Sequence, residues 1–269
     1  MAVSHFYRVY EIKSFMITNQ QERTWREKLL GDADDYIDGP PWRDVPKWRN
    51  SFLFCFRLFS RIVWHLKAVG LDNLPEAPFI LAPNHASHFD NFWICCLLYR
   101  HLNDIIFSIG KKEHLDRFLT RLSAAAANMI PVDRGGNVMP ALRAGAKILQ
   151  KGGILFLHPE GTRTSDGNLQ PFKSGVGILA LSLHVPVVPV GIIGSFEVFP
   201  NNIEMPRLFK WSKFSRYNIT VAFGKSITVE DEVNLGNLDA NSSTLAQDFT
   251  RLLQSKVAKI LSSHASGDQ

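Results

Sequence analysis

The chain has 269 residues, of which 45% are hydrophobic and 20% charged, with a formal net charge of +5 and a pI near 9.1. This length accommodates one large α/β domain or at most two domains, and the composition excludes a wholly disordered chain. The positive charge favours anionic partners, namely phosphorylated substrates, anionic lipid surfaces or nucleic acid, without choosing among them.

The cysteines and the N-terminal residues indicate the cellular compartment of the protein. Cys55, Cys95 and Cys96 are too few for a disulfide framework or a paired-cysteine metal site, and the adjacent pair lies in an apolar helical pattern that favours burial. The opening residues, MAVSHFYRVYEIKSF, lack the apolar core and cleavage site of a secretory signal. No run reaches the roughly 18 apolar residues of a spanning helix. We therefore expect a cytoplasmic location.

Residues 1–50 are predicted to form a polar N-terminal arm, because GDADDYIDGPPWRDVP is rich in turn residues. Residues 51–68, SFLFCFRLFSRIVWHLKA, change in character. A polar stripe recurs every four residues at Arg57, Arg61 and His65. Apolar side chains cover much of the remaining surface: Phe52, Phe56, Phe59, Ile62, Val63 and Leu66. The pattern predicts an amphipathic helix at a membrane interface, with a core-packing helix whose arginines reach solvent as the alternative.

Residues 69–269 are predicted to form one α/β domain. Short apolar runs predict strands at 79–82, 105–109, 129–132, 154–157, 185–193 and 217–223. Helical patterns lie at 91–101, 113–125, 138–151, 173–184 and 243–262. Strands that alternate with helices predict an α/β fold with a largely parallel mixed sheet flanked by helices, and with ligand sites at the strand ends.

The stretch NHASHFD, residues 84–90, places two imidazoles, a hydroxyl and a carboxylate between two apolar runs. In a continuous helix His85 and Asp90 would lie about 140° apart around the axis. They can meet if the chain turns after the strand and Asp90 begins the next helix, where Asp is also a good N-cap. Asp90 would then orient His85 as a general base for a substrate hydroxyl. A capped turn with an incidental histidine is the structural alternative.

The stretch ILFLHPEGTR, residues 154–163, runs a strand directly into a polar turn. Arg163 offers planar paired donors that suit phosphate. Glu160 could hold Arg163 or accept from a substrate hydroxyl, and Gly161 permits a close approach of the backbone. A surface turn held by an ion pair is the structural alternative.

Two further stretches also contain a predicted strand. MIPVDRGG, residues 129–136, ends a strand with Arg134, a second candidate for a phosphate contact, and VPVVPV at 185–190 indicates a buried strand. In chain order, NHASHFD, PVDRGG, HPEGTR and VPVVPV resemble the four sequence blocks of the glycerolipid acyltransferases, the family of 1-acylglycerol-3-phosphate acyltransferases. The resemblance covers roughly residues 70–225.

The resemblance implies that His85 is the catalytic base and Asp90 its charge partner. It also implies an acceptor-binding set composed of Lys111, Arg134, Glu160, Gly161, Thr162 and Arg163. Lys111 comes from the segment SIGKKEHL, in which Lys112 stays open as an alternative. The chain departs from the family at His158, where phenylalanine is common, and at PVD, where Phe-Ile-Asp is common.

The implied reaction transfers a fatty acyl group from an acyl thioester, of coenzyme A or acyl carrier protein, to a lysophospholipid hydroxyl. The expected acceptor is 1-acylglycerol-3-phosphate, which would give phosphatidic acid, with another lysolipid or glycerol-3-phosphate as alternatives. The reaction requires neither a metal nor a cofactor. The resemblance further implies peripheral or monotopic association with lipids on the cytoplasmic side of a membrane, and no nucleic acid partner.

Three other functions are compatible with parts of the sequence. A hydrolase would use Ser87 with His85 or His88 and Asp90, although the chain has no Gly-x-Ser-x-Gly elbow. A metal site could draw on His85, His88 and Asp90. A non-catalytic lipid-binding module would keep the basic helix without the chemistry.

Overall fold

A computed structural model describes residues 24–25, 28–29, 48–99, 106–111, 128–132, 138–211 and 214–265. The strands are β1 (Lys67–Val69), β2 (Ile80–Pro83), β3 (Ile106–Lys111), β4 (Met129–Val132), β5 (Ile154–Phe156), β6 (Val187–Ile193) and β7 (Thr220–Phe223). The helices are α1 (Trp48–Trp64), α2 (Asp90–Leu98), α3 (Met139–Gln150), α4 (Gly175–Leu183), α5 (Ser195–Val198), α6 (Val229–Asn234) and α7 (Leu245–Ala265), and a 3₁₀ turn spans Leu71–Asn73.

The seven strands form a single mixed sheet in the order β1-β7-β6-β2-β5-β3-β4. The strands from β6 to β4 run parallel, β7 is antiparallel to β6, and β1 is parallel to β7. The predicted fold class, a largely parallel mixed sheet flanked by helices, is therefore confirmed. Because β2, β5 and β6 are neighbours, the loops that follow them meet at one edge of the sheet.

Helices cover both faces of the sheet, so the central strands are buried along their length. Alternate residues of β2 point to opposite faces, with Leu81 in the core beneath α1 and α2 and Ile80 in the core beneath α3, α4 and α7. The contact between α4 and α7 is close at Gly177. A Cβ there would lie 2.0 Å from the carbonyl oxygen of Ala246.

The predicted elements agree with the observed ones within about three residues at each end, except where the chain is not described. Strand 129–132 has the predicted limits, and the predicted helix 113–125 lies outside the described residues. Three short elements, β1, α5 and α6, were not predicted. Each has fewer than about seven residues, too few to display a helical or strand period.

Helix α1 differs from the predicted amphipathic segment in its limits. It begins at Trp48, inside the predicted arm 1–50, and ends at Trp64 rather than at residue 68. The chain turns at His65, which has φ 45°, and Lys67–Val69 then pair with β7 as an edge strand. The end of segment 51–68 thus belongs to the sheet.

The apolar surface predicted for α1 is divided between the core and the solvent. Phe52, Phe56 and Val63 pack against the core, and Leu66 is buried beyond the helix end. The outward face is also apolar, with the exposed side chains Trp48, Phe54, Leu58, Phe59 and Ile62. Since apolar residues surround most of the helix, its sequence period could not determine which of them face inward.

No helix in the described part of the chain is long and apolar enough to cross a membrane. The adjacent cysteines of α2, Cys95 and Cys96, are buried in the core as expected, and burial raises the pKa of Cys95 to about 11. Cys55 lies exposed on α1.

Candidate active site

The stretch NHASHFD, residues 84–90, forms the turn between β2 and α2, at the carboxyl edge of the sheet, and is called the catalytic turn after the role predicted for it. Asp90 is the first residue of α2, and the turn brings its carboxylate back to His85, whose Nδ1 lies 3.0 Å from Oδ2 of Asp90. This is the arrangement that the sequence required for the pair to meet. Since Nδ1 donates to the carboxylate, Nε2 is the nitrogen that can act as a base.

The Asp90 carboxylate is fully buried and is surrounded by donors. Oδ2 also accepts from the backbone amides of Ala86 at 2.8 Å and Ser87 at 2.9 Å, and Oδ1 accepts from the hydroxyl of Ser195. Burial raises the pKa of Asp90, and these hydrogen bonds oppose the rise. The turn therefore wraps around Asp90, which fixes the position of His85.

Ile192 of β6 and Ser195, the first residue of α5, both bind this turn, and the sequence revealed neither contact. The Asn84 side chain pairs with the backbone of Ile192, accepting from its amide at 2.7 Å and donating to its carbonyl at 3.2 Å. Ser195 follows β6 at the same edge of the sheet and donates to Asp90. The parallel pairing of β2 and β6 was the signal that could have indicated this proximity.

Glu160 does not form the ion pair with Arg163 that was one of its two predicted roles. Its side chain is 2% exposed, and its two oxygens accept from the backbone amides of His85 at 2.6 Å and Gln170 at 2.9 Å. Burial raises its pKa to about 7, although both hydrogen bonds oppose the rise. Glu160 thus joins its own turn to the catalytic turn and to the following loop and forms no ion pair with Arg163, while its contact with an acceptor stays a prediction.

A backbone hydrogen bond adds to the link between the two turns. The amide of Thr164 donates to the carbonyl of His85 at 2.9 Å. This places Arg163 beside the catalytic turn, where its guanidinium contacts the ring of His88. Arg163 is partly buried, and the loss of water lowers its pKa from the usual value. Among the described residues no carboxylate forms an ion pair with Arg163, which suits it to an anionic ligand.

The predicted glycine and threonine lie at the open side of this turn. Thr162 is exposed, and Gly161 adopts φ 73°, a left-handed conformation that favours glycine. A Cβ at Gly161 would lie 2.8 Å from Nζ of Lys173, so the lysine extends across the turn. Lys173 therefore adds a cation at the turn of Gly161, one that the sequence did not assign to the site.

His158 stacks on the catalytic imidazole. The ring centroids of His85 and His158 are 3.6 Å apart, and Nδ1 and Nε2 of His158 lie 3.1 Å from the Asn84 carbonyl and 3.0 Å from Oδ1 of Asn91. Burial lowers the pKa of His158, which favours the neutral form of the ring. The aromatic stacking is what a phenylalanine at this position would also provide.

His85, Asp90 and His158 present possible metal-ligand atoms within 4.8 Å of one another. This set differs from the one predicted, since His88 contacts the guanidinium of Arg163 instead. A cation at His88 disfavours a metal ion there. The hydroxyl of Ser87 accepts from the amide of Phe89 at 3.1 Å, which makes Ser87 part of the turn and does not support a Ser87 nucleophile.

The remaining predicted contacts come from β3 and β4. Lys111 is the last residue of β3, at the same edge as the other motifs, and only its backbone is described. Lys112 and Arg134 lie outside the described residues. Their contributions to the site stay predictions.

Aromatic side chains pack between the catalytic turn, α1 and the residue that follows α5. The ring of Phe89 lies 5.7 Å from that of Phe56 on α1 and 4.9 Å from that of Phe199, which follows α5. Phe199 also lies 5.0 Å from His88. The site is therefore polar on the side of Arg163 and apolar on the side of α1.

The sequence model of a family described as Acyltransferase matches residues 65–193. The chloroplastic 1-acyl-sn-glycerol-3-phosphate acyltransferase BAT2 of Brassica napus is 30% identical over 142 residues, which are 50% of this chain and 39% of that protein. A probable 1-acyl-sn-glycerol-3-phosphate acyltransferase of Mycoplasma genitalium is 25% identical over 209 residues, 75% of each protein. The chain thus spans less than half of the plant relative.

A solved structure has the same fold. The crystal structure of the 1-acyl-sn-glycerophosphate (LPA) acyltransferase PlsC from Thermotoga maritima matches with a TM-score of 0.57 and 21% sequence identity. The match covers 82% of this chain and 83% of that chain.

Proposed function

We propose that this chain is a glycerolipid acyltransferase that transfers a fatty acyl group from an acyl thioester to the hydroxyl of a lysophospholipid; the Acyltransferase model over residues 65–193 and the similarity to 1-acyl-sn-glycerol-3-phosphate acyltransferases support this. The proposed acceptor is 1-acylglycerol-3-phosphate, and the product is phosphatidic acid. The observation that carries the proposal is the His85–Asp90 hydrogen bond of 3.0 Å, with the guanidinium of Arg163 beside the same turn.

In the proposed mechanism Nε2 of His85 takes the proton of the acceptor hydroxyl as its oxygen attacks the thioester carbonyl. The carbon–sulfur bond then breaks, and the imidazolium returns the proton to the departing thiolate. Asp90 holds Nδ1–H and stabilises the imidazolium that forms during the step. The acyl group passes directly between substrates, so this protein needs no nucleophile of its own. The donor is acyl-coenzyme A or acyl carrier protein.

We assign the acceptor phosphate to the polar side of the site. Arg163 supplies paired donors, and Lys173 lies across the same turn. Lys111 and Arg134 complete the proposed set from the ends of β3 and β4. Binding the phosphate at a fixed position places the acceptor hydroxyl against His85 and converts binding energy into proximity.

We also propose that the enzyme works at a membrane surface, as a peripheral or monotopic protein on the cytoplasmic side. Its substrates carry acyl chains, and the outward face of α1 presents five exposed apolar side chains, at Trp48, Phe54, Leu58, Phe59 and Ile62. Such a face suits the boundary between headgroups and acyl chains.

The test is acyl transfer with a labelled acyl thioester and a panel of lysolipids with and without a phosphate group. Transfer to 1-acylglycerol-3-phosphate should exceed transfer to the neutral lysolipids. His85→Ala should remove nearly all activity, whereas Ser87→Ala should retain most of it. Vesicle binding without transfer to any acceptor would instead indicate a non-catalytic lipid-binding module, and equal losses in the two variants would indicate a hydrolase-like serine.

Arg163 gives the sharper test of the acceptor. Arg163→Ala should raise KM for the phosphorylated acceptor by at least about tenfold, because it removes a charge-assisted contact of about 1.5 kcal/mol or more. KM for an acceptor without phosphate should change little. Arg251→Ala serves as the matched control, because this exposed arginine of α7 pairs with Asp248 and belongs to no predicted site. An equal rise in KM for both acceptors would contradict phosphate binding by Arg163.

A further inference from the structure

A second exposed apolar surface lies between α5 and β7. Four side chains there are exposed, including Trp211 at 76% and Phe214 at 84%, with Met205 and Leu208 as the others. Lys210 and Ser215 pair as an antiparallel bridge, so Trp211 and Phe214 stand at its turn. We call the described residues 205–211 and 214–216 the aromatic hairpin. Large apolar side chains that gather on a protein surface commonly mark a contact with another protein or with a membrane.

The aromatic hairpin is fixed to the C-terminal end of α1. The indole Nε1 of Trp64 donates to the carbonyl of Arg207 at 2.8 Å, and NH1 of Arg216 donates to the carbonyl of Ile62 at 2.6 Å. Ile62 belongs to the outward apolar face of α1. The two exposed surfaces are thus held next to each other by contacts from both arms of the hairpin.

Basic side chains accompany these aromatic residues. Arg207 and Arg216 are exposed, and Lys210 lies over the ring of Tyr217 at 4.9 Å from its centroid. Nζ of Lys210 also lies 3.9 Å from Oε2 of the exposed Glu197, a weak pair in water. A cavity of about 540 Å³ is lined by Arg207, Lys210 and Trp211, together with Glu197. Aromatic residues mixed with cations match the chemistry of an anionic lipid surface.

The aromatic hairpin is also connected to the catalytic turn. The amide of Arg207 donates to the carbonyl of Val198 at 2.8 Å, and the next residue, Phe199, packs on His88. On the other side, Phe56 of α1 packs on Phe89. The catalytic turn therefore lies between two elements that each carry an exposed apolar surface.

We propose that the aromatic hairpin is a second membrane-contact element, which inserts Trp211 and Phe214 into an anionic bilayer beside α1. Arg207, Lys210 and Arg216 contact the headgroups. Two adjoining contacts fix the orientation of the enzyme on the membrane, whereas α1 alone leaves it free to rotate about the helix axis. The role of this orientation rests on the proposed function, since it places the catalytic turn towards a lysolipid in the bilayer.

The test measures binding to vesicles independently of catalysis. The double variant Trp211→Ser, Phe214→Ser is compared with the unmodified protein by co-sedimentation with phosphatidylcholine vesicles. These vesicles are prepared with and without phosphatidylglycerol. Leu235→Ser is the matched control, because Leu235 is 72% exposed just beyond α6. Circular dichroism and sedimentation velocity report on folding and self-association of each protein.

The double variant should bind anionic vesicles at least about tenfold more weakly, since each aromatic ring loses its apolar burial in the bilayer. The control should bind as the unmodified protein does. Lys210→Gln should reduce the preference for anionic over neutral vesicles. Activity on a short-chain, water-dispersed acceptor should be unchanged in all variants, and its absence throughout would count against the proposed function alone.

Two outcomes would overturn the proposal. The first is a double variant that folds and binds vesicles as tightly as the unmodified protein. The second is a change from dimer to monomer in the double variant without weaker vesicle binding, which would show that the hairpin contacts a second copy of the chain.

Discussion

Replacing Ser195 with alanine removes the hydrogen bond that Oδ1 of Asp90 accepts, and leaves His85, Ala86 and Ser87 as donors to Oδ2. Both Ser195 and Asp90 are buried, so water cannot easily replace the lost donor. We expect the carboxylate to lose both charge stabilisation and a fixed orientation. The imidazole of His85 depends on that orientation for its position.

The size of the effect follows from the negative charge of the Asp90 carboxylate, which accepts this hydrogen bond. A hydrogen bond to a charged group contributes about 1.5–3 kcal/mol, which corresponds to roughly ten- to a hundredfold in rate. The loss should fall on kcat and leave KM nearly unchanged, since Ser195 contacts Asp90 and has no assigned contact with either substrate. The Ser195 bond lowers the pKa of Asp90, so its removal raises that pKa. The acid limb of the activity profile should therefore move to higher pH.

The assay is steady-state acyl transfer measured across pH for the unmodified protein and the Ser195→Ala variant. Ser182→Ala on α4 is the control, because Ser182 is equally buried and its hydroxyl has no hydrogen-bond partner in the described structure. The control should change neither kcat nor the pH profile. If Ser195→Ala also retained both, Ser195 would not position the catalytic pair.

Three more variants test other parts of the structure. Burial raises the pKa of Glu160 from 4.5 to about 7, so its contribution to stability is complete below pH 4.5 and is lost as the pH rises through 7. The free energy of unfolding should fall by about 3 kcal/mol across this pH range. Glu160→Gln should reduce this pH dependence, measured by urea unfolding, and an unchanged pH dependence would contradict the role of Glu160. Gly177→Ala should lower the free energy of unfolding by about 1–3 kcal/mol, because its Cβ meets the Ala246 carbonyl at 2.0 Å, and a neutral result would show that α4 and α7 separate easily. His158→Phe preserves the stacking on His85 but removes one candidate metal ligand. Transfer should persist and resist chelation, whereas a metal-assisted reaction would be lost.

The helices and strands that the sequence predicted are those long enough to repeat an apolar pattern. Strands such as β6 and helices such as α3 and α7 are revealed by several turns or alternations of apolar residues. The edge strand β1 has three residues, and it forms because β7, distant in sequence, offers a free edge. For α1 the sequence showed an apolar helix, but packing against α2 decided which residues face the core.

The candidate site was predictable where function follows from residues close in sequence. His85 and Asp90 are five residues apart, and a turn between a strand and a helix was sufficient to bring them together. Glu160 shows the limit of such reasoning. Its place between two polar motifs suggested a ligand contact, whereas the fold uses both of its oxygens to bind backbone amides.

The sequence by itself determined the fold class, the order of the motifs and the pairing of His85 with Asp90, because each is encoded in local patterns of residue type. Tertiary structure alone decided the partners of that pair. Ser195 lies 105 residues beyond Asp90, and Lys173 reaches the turn at Gly161 by crossing a loop. Such contacts arise from the parallel pairing of strands that are far apart in the chain, and no local pattern specifies them.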